Sequence, residues 1–277
     1  MRKRIQKYGF IVLVALIFLV GLSVLLYPTV SSAINARNQS RVIVEYNAHL
    51  AELPNEDIMN MIEAAHEWNM WLPTRANRYV LSSEEWAMYR ELLDFTGHGI
   101  IGYVEIASIS VNLPIYHGTD ESILQIGVGH IEWSSLPVGG VGTHAVLTAH
   151  TGLPTAELFT RLDRLTYGET FTVRALGEEL VYEVDQILIV EPTDTSALGI
   201  AAYMDFVTLI TCTPYGVNSH RLLVRGVRVP NTEAEQIPVV VACCCKCWPL
   251  ILVLIILNLI LLTMNVFLLI WYRSKRH

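Results

Sequence analysis

The chain has 277 residues, a formal charge of −7 and a positive mean hydropathy. Basic residues crowd both ends, so the acidic balance falls on the middle of the chain and argues against a nucleic-acid partner. Of five cysteines, four are packed together as Cys243, Cys244, Cys245 and Cys247, which excludes a disulfide framework in the middle segment.

Two uncharged stretches account for the hydropathy. Residues 10–27 (FIVLVALIFLVGLSVLLY) follow Arg2, Lys3, Arg4 and Lys7 and are long enough to span a bilayer. Residues 248–271 form a second such run, bounded by Trp248 and Trp271 and followed by Arg273, Lys275 and Arg276. By the positive-inside rule both termini are cytoplasmic and the middle is extracytoplasmic, giving a two-pass protein of the cell membrane. A cleaved signal peptide is the rival reading, since Ser31, Ser32 and Ala33 follow the first run. That run exceeds the roughly 7 to 15 apolar residues of an ordinary signal sequence.

Between the spans the texture changes once. Residues 38–89 read as helical: PNEDIMNMIEAAHEWNMWL starts with acids, and Ile58, Ile62, Ala65 and Leu72 recur at helical spacing. The pattern breaks around Pro73, Thr74, Ser82 and Ser83, after which SEEWAMYRELL predicts a further short helix. From residue 100, short β-branched and aromatic runs alternate with Gly, Pro, Asn and Asp. They are GYVEIASI, VNLPIYH, HAVLTAH, TFTVRA, ELVYEVDQILIV, DFVTLITC and RLLVRGVRV. In the longest, Leu180, Tyr182 and Val184 face one way and Val181, Glu183 and Asp185 the other. Many short strands in one domain predict a barrel or sandwich, interrupted by one short helix around AELFTRLDRL. The resulting partition is a tail and first span at 1–30, a helical appendage at 31–99, a β domain at 100–232, a linker at 233–247, and a second span with a basic tail at 248–277.

Cys212 is the only cysteine between the appendage and the linker. In DFVTLITCTPYGVNSHRLLVRG it ends one strand, Arg221 begins the next, and Pro214, Gly216, Asn218 and Ser219 mark the turn. Antiparallel pairing would bring the two side chains to one end of the sheet, where opposed residues lie about 5 Å apart. A free thiol ionises near about 8.5, and a neighbouring cation favours the thiolate, which is the nucleophile. Arg supplies charge but no base chemistry, so proton transfer needs another group. His150, at the end of HAVLTAH, suits that role. His144, six positions earlier, suits it equally on chemistry, and a buried packing role for Cys212 stays open on composition alone.

TLITCTPYGVNSHR resembles the sortase signature, a Thr-Leu-x-Thr-Cys strand end followed by the Arg of the next strand, and THAVLTAHTGLP resembles the family's histidine segment. The likeness spans roughly residues 100–229. SLPVGG, LFTRLD, TCTPYGVNSHRLLVRG, the two spans and the N-terminal helices are most similar to class C, the pilus-polymerising sortases of Gram-positive bacteria. The resemblance implies a mainly β fold, a closed sortase-type barrel of about eight strands with short helices. It implies Cys212 as nucleophile, His150 rather than His144 as acid and base, and Arg221 as substrate and oxyanion support, with Thr211 and His144 as further support. It implies no metal or cofactor. The partners it implies are Leu-Pro-x-Thr-Gly-like sorting signals of pilins or surface proteins, and an acceptor lysine on a pilin or a cell-wall precursor.

One departure stands out. Class C enzymes usually carry an Asp-Pro-aromatic lid motif, and no Asp-Pro pair occurs in residues 38–99. Trp86, Tyr79 and Trp71 are candidates to replace it, with ordinary packing as the plainer role. The contiguous CCCKC lacks the separated pairs of a zinc site and reads as small apolar packing at the membrane edge. Asn258 and Asn265 are candidate helix contacts within the second span. A membrane-tethered binding module that uses the barrel without catalysis is the alternative from a different class.

Overall fold

The computed structural model describes residues 2–231, with side chains from residue 15 onward. The second apolar run, the cysteine cluster, Asn258 and Asn265 lie outside the described residues. Helix α1 (Arg2–Glu52) carries the first apolar run and continues through Pro28 to the break at Leu53 and Pro54. Among the described residues it is the one helix long and apolar enough to cross a membrane. The compact unit that carries the site begins at Asn35.

Helices α2 (Asn55–Trp71) and α3 (Ser83–Glu91) follow the sequence pattern. Glu56 and Asp57 sit in the first turn of α2, where acids complement the helix dipole. The α3 start is a capping box, in which the Ser82 hydroxyl accepts from Glu85 N while the Glu85 carboxylate accepts from Ser82 N. The apolar face of α2 is not left over for solvent. Ala65, Trp68, Tyr89 and Leu93 belong to the same buried cluster as the barrel interior, with Ile58 and Ile62 packed against it. Asn69, buried on α2, pins that helix to the barrel by accepting from Leu136 N and donating to Leu136 O.

Eight strands close a barrel in the order β1-β2-β3-β4-β7-β8-β6-β5. They are β1 (Ile100–Ile106), β2 (Val111–His117), β3 (Val128–His130), β4 (Thr143–Thr148), β5 (Thr170–Ala175), β6 (Glu178–Val190), β7 (Asp205–Thr213) and β8 (His220–Arg228). Pairing is antiparallel except for β2 with β3 and β4 with β7, which are parallel. The alternation read in β6 is present, with Leu180, Tyr182 and Val184 buried, and it ends at an irregularity between Val184 and Gln186.

Three local expectations change. GYVEIASI is a strand only to Ile106, because Ala107–Ile109 forms a 3-10 turn closed by Ser110 in a left-handed conformation. AELFTRLDRL is not an α-helix but turns ending in the 3-10 segment Leu162–Arg164. Leu158 at a φ of 36° and the bond from Phe159 N to His150 O divert the backbone there from a helical ladder. The short β3 and the four-residue helix α4 (Glu121–Leu124) were not expected at all.

Candidate active site

The β7–β8 hairpin puts Cys212 and Arg221 directly opposite one another as cross-strand partners, next to the pair Thr211 and Leu222. Both are partly exposed at the strand ends. β4 lies along the other edge of β7 in parallel register, Thr148 against Ile210. Ala149 N donates to Ile210 O at 3.1 Å, so the register continues past the named strand, and two residues on it aligns His150 with Cys212. Three adjacent strands therefore deliver a thiol, a guanidinium and an imidazole to one end of the barrel.

Arg221 Nη1 donates to the carbonyls of Asn218, at 3.3 Å, and His220, at 3.1 Å, which turns the guanidinium toward its own hairpin turn. His150 Nε2 meets the carboxylate of Glu121 at 3.3 Å. Glu121 also accepts from Gln125 Nε2 at 2.6 Å, and these two contacts hold its carboxyl below the usual carboxylate range, the Gln125 bond contributing most. Sequence reasoning gave no hint of Glu121, because its link to His150 exists only once α4 packs on β3 and β3 pairs with β4.

Beside Cys212 is a small cleft lined by Thr151, Phe159, Thr160, Asp163, Tyr215 and Leu222 among others. Its two walls approach closely at Gly152, whose φ is 72° and where an added Cβ would lie 3.0 Å from the Tyr215 ring. A side chain there would have to displace Tyr215, and its left-handed backbone disfavours any L residue. The exposed Tyr215 and Val217 extend this apolar rim.

Two of the support residues expected from sequence do other work. Thr211 is buried and donates its hydroxyl to Ala149 O at 2.8 Å, on the strand face opposite the thiol, so its proton is committed away from an oxyanion. His144, the second residue of β4, is 1 % exposed. Its Nδ1 pairs with Gly199 O at 2.8 Å and its Nε2 with the Thr208 hydroxyl at 2.7 Å, while burial pushes its pKa down to about 4. It is a neutral interior histidine with both ring nitrogens engaged.

The three lid candidates pack elsewhere. Trp86 meets Tyr89 edge-on and covers Gly118, Tyr79 meets Trp133 with the Arg78 guanidinium over both rings, and Trp71 packs on Trp68 and under Arg75. None of the three lines the cleft at Cys212.

Comparison with known proteins bears on this arrangement. The sortase domain model matches residues 104–229, a stretch that contains Cys212, His150 and Arg221. Sortase C1 of Streptococcus agalactiae is 44% identical, with a TM-score of 0.68, over 69% of this chain and 100% of that one. The chain belongs to the sortase family. Sortase C of Streptococcus pneumoniae, whose structure is described in terms of catalysis and pilin substrate specificity, is 43% identical at a TM-score of 0.63, over 69% of this chain and 97% of that one. Sortase C-1 of Actinomyces oris is 45% identical at a TM-score of 0.58, over 62% of this chain and 99% of that one. Sortase D of Bacillus subtilis (strain 168) is 31% identical over 131 residues, and the match spans 63% of that protein's length. The structural neighbours of this sortase thus include several class C enzymes.

Proposed function

We propose that this sortase is a membrane-anchored cysteine transpeptidase of the pilus-polymerising class. What supports the reading is one relationship: Cys212 and Arg221 are cross-strand partners, and the parallel strand beside them continues to His150. The Cys212 thiolate adds to the Thr carbonyl of a Leu-Pro-x-Thr-Gly-like signal. Arg221, swung out from its turn, carries the developing oxyanion charge. The Thr–Gly C–N bond breaks, the glycine amine takes a proton from the His150 imidazolium, and a thioester remains on Cys212. An incoming lysine amine on the next pilin gives its proton to His150 and attacks the thioester. The C–S bond breaks, the thiolate returns, and an isopeptide bond joins the subunits.

The α1 span supports a membrane anchor, and together with the second apolar run of the sequence it makes a two-pass chain with the barrel outside the cytoplasm. The domain limits 1–30, 31–99, 100–232, 233–247 and 248–277 belong to this proposal. Full-length protein incubated with a Leu-Pro-x-Thr-Gly peptide should gain an acyl mass on the peptide containing Cys212, and Cys212→Ala should not. No adduct on the wild-type chain would sink the enzymatic reading in favour of a binding module. The acceptor then decides the class, with a covalent pilin ladder expected and transfer only to a cell-wall peptide amine pointing to surface-protein anchoring.

A further inference from the structure

The contact between His150 and Glu121 lies outside the Cys, His and Arg arrangement and comes from a different part of the barrel. Glu121 opens α4, the short helix between β2 and β3. That helix is fixed in place: Leu124 packs over Gly129 of β3, and the backbone nitrogens of Ile123 and Leu124 donate to Asp120 O. Its first residue therefore presents a carboxylate to His150 from an anchored turn, with Gln125 holding the other oxygen.

Helix α1 braces both partners. Gln39, buried, donates from Nε2 to the carbonyl of Ile126 at 2.9 Å, just past α4. One turn earlier, Asn35 donates from Nδ2 to the carbonyl of Thr155 at 2.8 Å, in the segment that leaves His150. The helix that continues from the apolar run thus grips the two segments whose separation sets the distance from Glu121 to His150.

We propose that Glu121 is a positioning residue for His150: its carboxylate holds imidazole Nε2, orients the ring, stabilises the imidazolium, and leaves Nδ1 as the nitrogen that exchanges a proton with the leaving and entering amines. This rests on the acyl-transfer reading above. The other charged or titratable groups at this end of the barrel include Cys212 on β7, Arg221 and His220 on β8, Glu191 just past β6 and paired with His220, and Asp163 and the Glu157–Arg161 pair in the segment after His150. Among the described residues, Glu121 is the one charged side chain that contacts the His150 ring. Its side chain is 69% exposed, so the pair is open to screening by salt.

The test uses full-length protein in detergent and peptide acylation kinetics. Without the carboxylate the ring is free to turn, so the step in which His150 hands a proton to the leaving amine slows while peptide binding does not. Glu121→Gln is expected to lower kcat about 3- to 5-fold with KM unchanged, as suits an exposed ion pair. Glu121→Asp restores part of kcat, and about 1 M salt lowers the wild-type kcat toward that of the variant. An unchanged kcat in Glu121→Gln, with wild-type acylation intact, overturns the role of Glu121. Absence of the wild-type thioester overturns the transpeptidase reading instead, so the two failures are told apart.

Discussion

The Thr211 hydroxyl donates to the carbonyl of Ala149 at 2.8 Å, tying the residue before Cys212 to the residue before His150. It ties β7 to the chain just past the end of β4, one residue before His150 leaves for its loop. Thr211→Val keeps the shape of the side chain and removes the donor. We expect a loss of about 1 kcal/mol in stability, since the bond is buried and the carbonyl loses a partner. We expect a larger effect on kcat than on KM, because it is the relative placement of thiol and imidazole that loosens. Thr211→Ser should restore both. Thermal unfolding and peptide acylation kinetics on the three proteins check this, and a Val variant with wild-type kcat would show that the tie does not set the geometry.

His144 gives the converse expectation. Both ring nitrogens are engaged inside the barrel wall, by Gly199 O and the Thr208 hydroxyl, and the ring lies edge-on to Phe206. His144→Ala leaves a cavity and two partners unsatisfied, which should cost roughly 2 to 4 kcal/mol. Thiol acylation per folded molecule should stay within a few-fold of wild type. A variant that folds normally but cannot acylate would return His144 to the site.

How far this could be read in advance depends on whether a signal was local. β2 and β5 coincide with the runs VNLPIYH and TFTVRA, because each has a clear β pattern bounded by turns. β3 is three residues with a central glycine, too short to show any period, and only its pairing to β2 and β4 makes it a strand. The Cys212 and Arg221 pairing followed from one hairpin. His144 and His150 sit an even number of residues apart, so alternation puts them on the same side and cannot choose between them. What separates them is that His144 is inside the strand and His150 just beyond its end. The tie from Thr211 to Ala149 O was not legible, because it crosses to a strand 62 positions away. Glu121 stayed invisible because an exposed acid on a four-residue helix carries no pattern, and its meaning comes from a contact 29 positions away.

The seam between α3 and the barrel should make this fold acid-sensitive. Tyr89 is fully buried, and its hydroxyl sits 2.8 Å from His130 Nδ1 while accepting from Gly118 N. His130 Nε2 faces Ser135 O at 2.8 Å, so the ring is the neutral Nε2–H form with Nδ1 accepting. His117 lies edge-on to Tyr89 with both ring nitrogens buried and unpartnered. Burial pushes His130 down to about 3 and His117 to about 4, and in each the other charges are secondary: Asp94 raises and Arg90 lowers His117, and His117 lowers His130.

Both folded values lie below the ordinary histidine value of about 6.5, so the unfolded chain binds protons first. The stabilisation is complete above about pH 6.5 and is lost as pH falls toward the folded values, each ring contributing roughly 3 to 5 kcal/mol. Denaturant unfolding of the full chain should therefore show stability falling steadily from about pH 7 to pH 4. His117→Phe fills the same space without stranded nitrogens or a titrating group. It should raise stability by about 1 to 3 kcal/mol at neutral pH and flatten the acid slope. If the Phe variant kept the wild-type slope, the acid sensitivity would have to originate elsewhere in the fold.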